Sequence, residues 1–141
     1  MSQPSNLTRF LDAQAGDYST ALAEIKAGRK RSHWMWYIFP QLQGLGFSET
    51  ARYYGIKDAA EAEAYLKHPV LGSRLREISQ ALLELAGSDA SRIMGSPDDL
   101  KLRSSMTLFK AMPGAEPVFK QVLDKFFGGA PDAKTLQLLG Q

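Results

Sequence analysis

Between residues 69 and 86 the apolar residues Leu71, Leu75, Ile78, Leu82 and Leu85 are separated by steps of four, three, four and three. Such spacing keeps all five side chains on one stripe of an α-helix, so the segment is predicted to be amphipathic with that stripe buried. Upstream, Leu7, Phe10 and Leu11 share one face of a first short helix, capped by Asn6 and stopped by Gly16. Asp17 then caps a second helix, in which Tyr18, Ala21, Leu22 and Ile25 repeat at helical spacing up to Gly28. The string Asp58-Ala59-Ala60-Glu61 has the form of a capping box, the aspartate accepting from an early amide and the glutamate reaching back; it opens a helix to about residue 67. His68 precedes Pro69, which disfavours helical geometry at the histidine and bends the chain there.

Ser96-Pro97-Asp98-Asp99 supplies a cap, a first-turn proline and two carboxylates that complement the helix dipole. A helix is expected over 97–111, ended by Pro113 and Gly114. Val118, Val122, Leu123, Phe126 and Phe127 define the next, closed by Gly128-Gly129, and Asp132 caps a last short helix with Leu136 and Leu139. No stretch alternates apolar and polar residues for long enough to make a sheet, and no internal repeat or linker divides the chain. The expectation is all-α: one compact domain, residues 1–141, of about seven to eight short helices.

Composition narrows the function classes. A chain of 141 residues can bury roughly 70% of its unfolded surface in one core, and so needs no disulfide scaffold. Its 44% apolar and 23% charged residues are those of a folded domain and not of a disordered inhibitor. Cysteine is absent, which excludes disulfides, thiolate metal sites and a cysteine nucleophile, and fits a reducing, cytoplasmic setting. The opening residues Met1-Ser2-Gln3-Pro4-Ser5-Asn6 carry no export signal, and the longest apolar run, 34–39, is far below the roughly 20 residues of a membrane helix. No membrane partner is expected. A formal charge of +2 is too near neutrality to indicate a nucleic-acid binder, the least favoured class.

Two segments carry candidate chemistry. In the first, Arg29-Lys30-Arg31 leads into Ser32-His33-Trp34-Met35-Trp36-Tyr37-Ile38-Phe39-Pro40-Gln41, followed by Gly44-Leu45-Gly46. As a pocket wall, Trp34 and Trp36 would stack a ring, Lys30 would meet a phosphate, and Gln41 or His33 would read polar edges. As core, the same aromatics would supply buried area, the indole and phenol tips would need hydrogen-bond partners, and the basic triplet would be a solvated face. In the second segment, Lys101 stands three and four residues before Ser104 and Ser105, with Thr107 beyond. An ammonium and a hydroxyl on one helix face suit a phosphate or oxyanion contact, and the spacing also suits a serine–lysine pair. Its plain alternative is a surface lysine with serines bonded to preceding carbonyls.

His33 and His68 are the two histidines, and neither has an acidic residue at metal-motif spacing, so no metal or other cofactor is expected. These features favour a phosphate-bearing or nucleotide-like small molecule in a pocket formed by 32–41 and the helix over 97–111. Its lining would be Lys30, His33, Trp34, Trp36, Gln41, Lys101, Ser104, Ser105 and Thr107. Catalysis and oligomeric state are left open. The alternative is an interaction module presenting its aromatic surface to a protein partner or a second copy.

The strings 32–41, Gly44-Leu45-Gly46, Ala64-Tyr65-Leu66, His68-Pro69-Val70-Leu71-Gly72 with Arg74-Leu75, and Lys101-Leu102 with Ser104-Ser105-Met106-Thr107-Leu108-Phe109 resemble a bacterial family across almost the whole chain. It is the domain-of-unknown-function family eighteen-ten, whose members are often labelled calpastatin. The resemblance implies an all-α fold and no established activity. Calpastatin-type inhibitors are long, polar and mostly disordered, whereas this chain has the apolar content and helix caps of a self-sufficient domain. The C-terminal half, with Lys101, Met106, Phe109, Phe119 and Leu123, also looks faintly like the helical ADP-ribose glycosidases. Their acid and aromatic signature does not align here, and no catalytic role is carried over.

Overall fold

Phe10, Gln14, Ala21 and Ile25 are all buried along one stripe, and helix α1 (Thr8–Lys26) therefore runs unbroken through Gly16 and Asp17, the expected boundary between two helices. An interior glycine costs about 1 kcal/mol. Burying Phe10 and Ile25 contributes roughly 1.5–3 kcal/mol each, which outweighs it. Gln14 disguises this stripe in the sequence because it is polar, yet it is fully paired. Its Nε2 donates to the Tyr37 carbonyl at 2.7 Å and the Tyr65 hydroxyl at 3.0 Å, while its Oε1 accepts from Arg74 at 3.3 Å. The computed structural model describes residues 7–140, so the expected cap Asn6 lies outside the described residues.

Nine helices are present among the described residues. After α1 come α2 (Met35–Ile38), α3 (Glu49–Tyr54), α4 (Ala59–Lys67), α5 (Leu71–Leu83), α6 (Ala90–Met94), α7 (Asp98–Lys110), α8 (Pro117–Phe127) and α9 (Ala133–Leu138). The all-α expectation holds; the only pairing of extended backbone among the described residues is an isolated parallel bridge between Leu42 and Ile56. Helices α3 and α6 are too short to announce themselves by period.

Several caps form as expected, and some are built differently. Asp58 accepts from the Glu61 amide at 2.9 Å and Asp132 from the Thr135 amide at 2.9 Å. Glu61 does not close a capping box on Asp58. Its carboxylate takes the Lys57 amide at 3.0 Å and the Arg9 guanidinium at 2.8 Å, a buried ion pair that joins α4 to α1. At the bend, His68 Nδ1 accepts from the amides of Val70 and Leu71 at 3.1 and 3.3 Å, so the imidazole caps α5. The far end of α5 is capped from α8, where the Lys125 ammonium donates to the carbonyls of Leu82, Leu83 and Leu85. Ser96 does not cap α7, which begins after Pro97 with no side-chain cap.

Helix α7 sits at the centre, packed against α4, α6, α8 and α9, while α5 bridges α1, α4 and α8. Its residues Leu102 and 104–109 are all buried. A chain of rings ties four helices together: Phe10 meets Tyr65 edge-on at 5.2 Å, Tyr65 meets Phe109 at 5.3 Å, and Phe109 meets Phe119 at 6.0 Å. Aromatic contacts of this kind add about 0.5–1.5 kcal/mol each beyond the area they bury.

Candidate functional site

The chain leaves α1 through Gly28, whose φ of +82° is readily adopted by glycine and strained for other residues. Residues 29–31 then run without helical structure, and their side chains alternate, as successive residues of extended backbone do. Lys30 turns inward. Its side chain is 6% exposed and pairs with Asp98 Oδ2 at 2.9 Å, its ammonium lies 4.9 Å from the Trp34 ring centre, and it also donates to the Ser32 carbonyl. Its backbone N–H donates to the Ile93 carbonyl of α6 at 2.7 Å. Arg29 and Arg31 are exposed on either side of it.

Glu24 organises the turn from within. Its carboxylate accepts from the Arg31 N–H at 2.7 Å, the Ser32 N–H at 3.0 Å, the Ser32 hydroxyl at 2.6 Å and the Trp34 indole at 2.9 Å. Burial, the largest single influence, favours the protonated acid; the hydrogen bonds from Ser32, Arg31 and Trp34 together outweigh it and hold the pKa at about 2. Tyr37 of α2 donates to Asp17 on α1, and burial together with that carboxylate raises the phenol well above its ordinary range.

The aromatic string and α7 do meet. Asp98 stands between two ammonium groups, Lys30 at 2.9 Å and Lys101 at 3.5 Å, and Lys101 covers the half-buried Trp36 ring at 5.0 Å from its centre. Lys30, Trp34, Trp36 and Lys101 are thereby brought together, with the seam filled by the ion pair and the indoles. The other expected lining residues lie elsewhere. His33 is exposed, and the half-buried Gln41 side chain makes no hydrogen bond among the described residues, although its carbonyl accepts from Ile56. Ser104 donates to the Leu100 carbonyl at 3.1 Å and Thr107 to that of Arg103 at 2.8 Å. Thr107 also accepts from the Asp132 N–H at 2.9 Å, so it anchors the approach to α9. Ser105 is fully buried, and its hydroxyl has no partner among the described residues.

Open clefts lie beside this seam, around α6. One of about 580 Å³ is lined by Ala27, Gly28, Arg29, Arg31, Ser91 and Arg92. None of the three guanidiniums has a carboxylate or carbonyl partner among the described residues. A second cleft of about 290 Å³ shares Gly28 and Arg92 with the first and adds a mostly apolar wall of Leu85, Ala86 and Ile93, with Asp89 at its edge. The arrangement offers an anion site opening onto an apolar one. The basic triplet is legible in the sequence, but Arg92 is not, because the short α6 that presents it has no periodic signal, and nothing local marks Glu24.

Against known proteins, the family model described as a protein of unknown function, DUF1810, matches residues 4–139. The crystal structure of the conserved hypothetical protein Rv1873 from Mycobacterium tuberculosis is similar at 47% sequence identity, with a TM-score of 0.96 over 99% of each chain. No curated protein matches the chain. No helix among the described residues is long and apolar enough to cross a membrane.

Proposed function

The chain belongs to the DUF1810 family, and we propose that it binds a phosphate-bearing small molecule in the cleft formed by Arg29, Arg31 and Arg92. The observation that carries this reading is that Arg29, Arg31 and Arg92, none of whose guanidiniums is paired with an anion of the protein among the described residues, line one concavity of about 580 Å³. Guanidinium forks match phosphate oxygens in pairs, and charge-assisted bonds of this kind are the strong ones. The adjoining apolar cleft, with Leu85 and Ile93, suits the organic part of the ligand. The anion contact expected of Lys30 passes to its two neighbours, since the Lys30 ammonium is held by Asp98. Lys101 and Trp36 flank the site instead of lining it. A cytoplasmic location belongs to the same proposal.

The test is calorimetric titration with inorganic phosphate, alkyl and sugar phosphates and nucleoside phosphates, repeated with the triple variant Arg29→Gln, Arg31→Gln, Arg92→Gln. All three positions are exposed, so the fold is expected to survive. Affinity should fall about tenfold or more in the variant, and should weaken with salt in the native chain. Absence of any binder, or equal binding by the variant, rejects the reading.

A second reading, an interaction module, has one observation in its favour: Phe47 is 79% and Tyr53 57% exposed, on and beside α3. Self-association that scatters light in the native chain and vanishes in Phe47→Ser would favour it.

A further inference from the structure

Ser91 of α6 lines the arginine cleft on one side and a third cleft, of about 510 Å³, on the other. The charge of the third cleft is opposite. Asp89, just before α6, and Asp99, in the first turn of α7, line it, and Phe126 and Phe127 form its apolar wall. Neither carboxylate has a lysine or arginine ion-pair partner among the described residues. Asp89 accepts from the Arg92 backbone N–H at 3.2 Å, and Asp99 Oδ2 accepts from the Ser91 hydroxyl at 2.8 Å. The other oxygen, Asp99 Oδ1, is screened from solvent and has no donor among the described residues.

A screened carboxylate oxygen without a donor is costly and calls for one. The nearby ammonium of Lys125 sits 5.2 Å from the Phe126 ring centre, but it donates to the carbonyls that end α5. Three cations and two anions without ion-pair partners among the described residues therefore line neighbouring clefts around α6: Ser91 is common to the arginine and the carboxylate cleft, and Asp89 also shares the second cleft with Arg92. A ligand with two opposite poles would satisfy both sets, and Phe126 and Phe127 favour a cation borne on carbon, such as an alkylammonium.

We propose that the ligand is a phosphate ester carrying an ammonium group, its phosphate on the arginine side and its ammonium on the Asp89 and Asp99 side of Ser91. The inference rests on the phosphate reading above and adds the second pole. It is tested by titrating the full chain with aminoalkyl phosphates of increasing length, each against the alkyl phosphate of the same length, with inorganic phosphate and an alkylamine alone as references. At the best length the amine should tighten binding about tenfold. Asp99→Asn, which keeps an acceptor for the Ser91 hydroxyl, should abolish that advantage and leave the plain alkyl phosphate unchanged. Arg92→Gln should weaken both.

If plain phosphates bind but the amine never helps, or if Asp99→Asn leaves its advantage intact, the two-pole ligand is overturned and the phosphate reading stands. If the alkylamine binds while no phosphate does, or if nothing binds, both fall. The comparison among native-chain ligands decides the matter even if Asp99→Asn disturbs folding.

Discussion

The Trp34 indole and the Glu24 carboxylate are joined by a hydrogen bond of 2.9 Å from Nε1 to Oε1. Through it the last full turn of α1 holds the aromatic string in place, and three further donors from Arg31 and Ser32 fix the basic segment on the same anion.

Glu24→Gln should therefore lower stability by about 2 kcal/mol at neutral pH, because hydrogen bonds to a charged acceptor are lost or weakened. The native carboxyl ionises at about 2 against an ordinary 4.5, so its contribution is complete above the unfolded value and is lost as pH falls towards the folded one. Denaturant titrations between about pH 5 and pH 2 should show a shallower acid loss in the variant than in the native chain. Parallel curves would remove Glu24 from the account.

The Arg9–Glu61 pair, at 2.8 Å with side chains 7% and 5% exposed, makes a second prediction. Arg9→Met should cost about 3–5 kcal/mol, because it strands a buried carboxylate. It also leaves the carbonyls of Tyr53 and Gly55 without their donor. Adding Glu61→Met should recover a substantial part of that loss, as measured by chemical unfolding of both variants.

Two glycines should respond in opposite ways. A Cβ at Gly72 would stand 2.1 Å from the Leu66 carbonyl oxygen, a backbone atom at the bend between α4 and α5. Gly72→Ala should destabilise by about 3 kcal/mol, the upper end of overpacking effects. At Gly87 a Cβ meets nothing within 4 Å and φ is not positive, so Gly87→Ala should be neutral or stabilise by up to about 1 kcal/mol. Thermal melts of the pair test the packing at the bend directly.

Lys125→Met keeps the aliphatic stem but removes the donor shared by the carbonyls of Leu82, Leu83 and Leu85. A loss of about 1–2 kcal/mol is expected from the uncapped end of α5. Amide exchange should quicken in the last turn of α5 before it does so elsewhere.

How far the sequence could be read depends on whether a signal was local. The stripe of Leu71, Leu75, Ile78 and Leu82 on α5 and the aspartates that cap α4 and α9 act within a few residues and form in place, while Leu85, the last residue of the expected stripe, lies just beyond the end of α5. Gly16 misleads because a local breaker competes with a distant gain: Gln14 is paired with Tyr37, Tyr65 and Arg74, residues that only the folded chain brings near. The candidate site divides in the same manner. Alternation along 29–31 is local, but the turning of Lys30 towards Asp98 and the arrival of Arg92 beside Arg29 depend on where α6 and α7 dock. Asp98 illustrates both levels, since it occupies the first turn of α7 as expected and pairs with Lys101 at the helical spacing of three, whereas its pairing with Lys30 follows from no spacing rule.

The 2.7 Å bond from the Lys30 N–H to the Ile93 carbonyl crosses from the segment after α1 to α6. Two of the guanidiniums belong to one side of that crossing and the third to the other, so this main-chain hydrogen bond ties together the two walls of the basic cleft. The rate at which its proton is replaced by deuterium becomes a clock for how long the three arginines keep company.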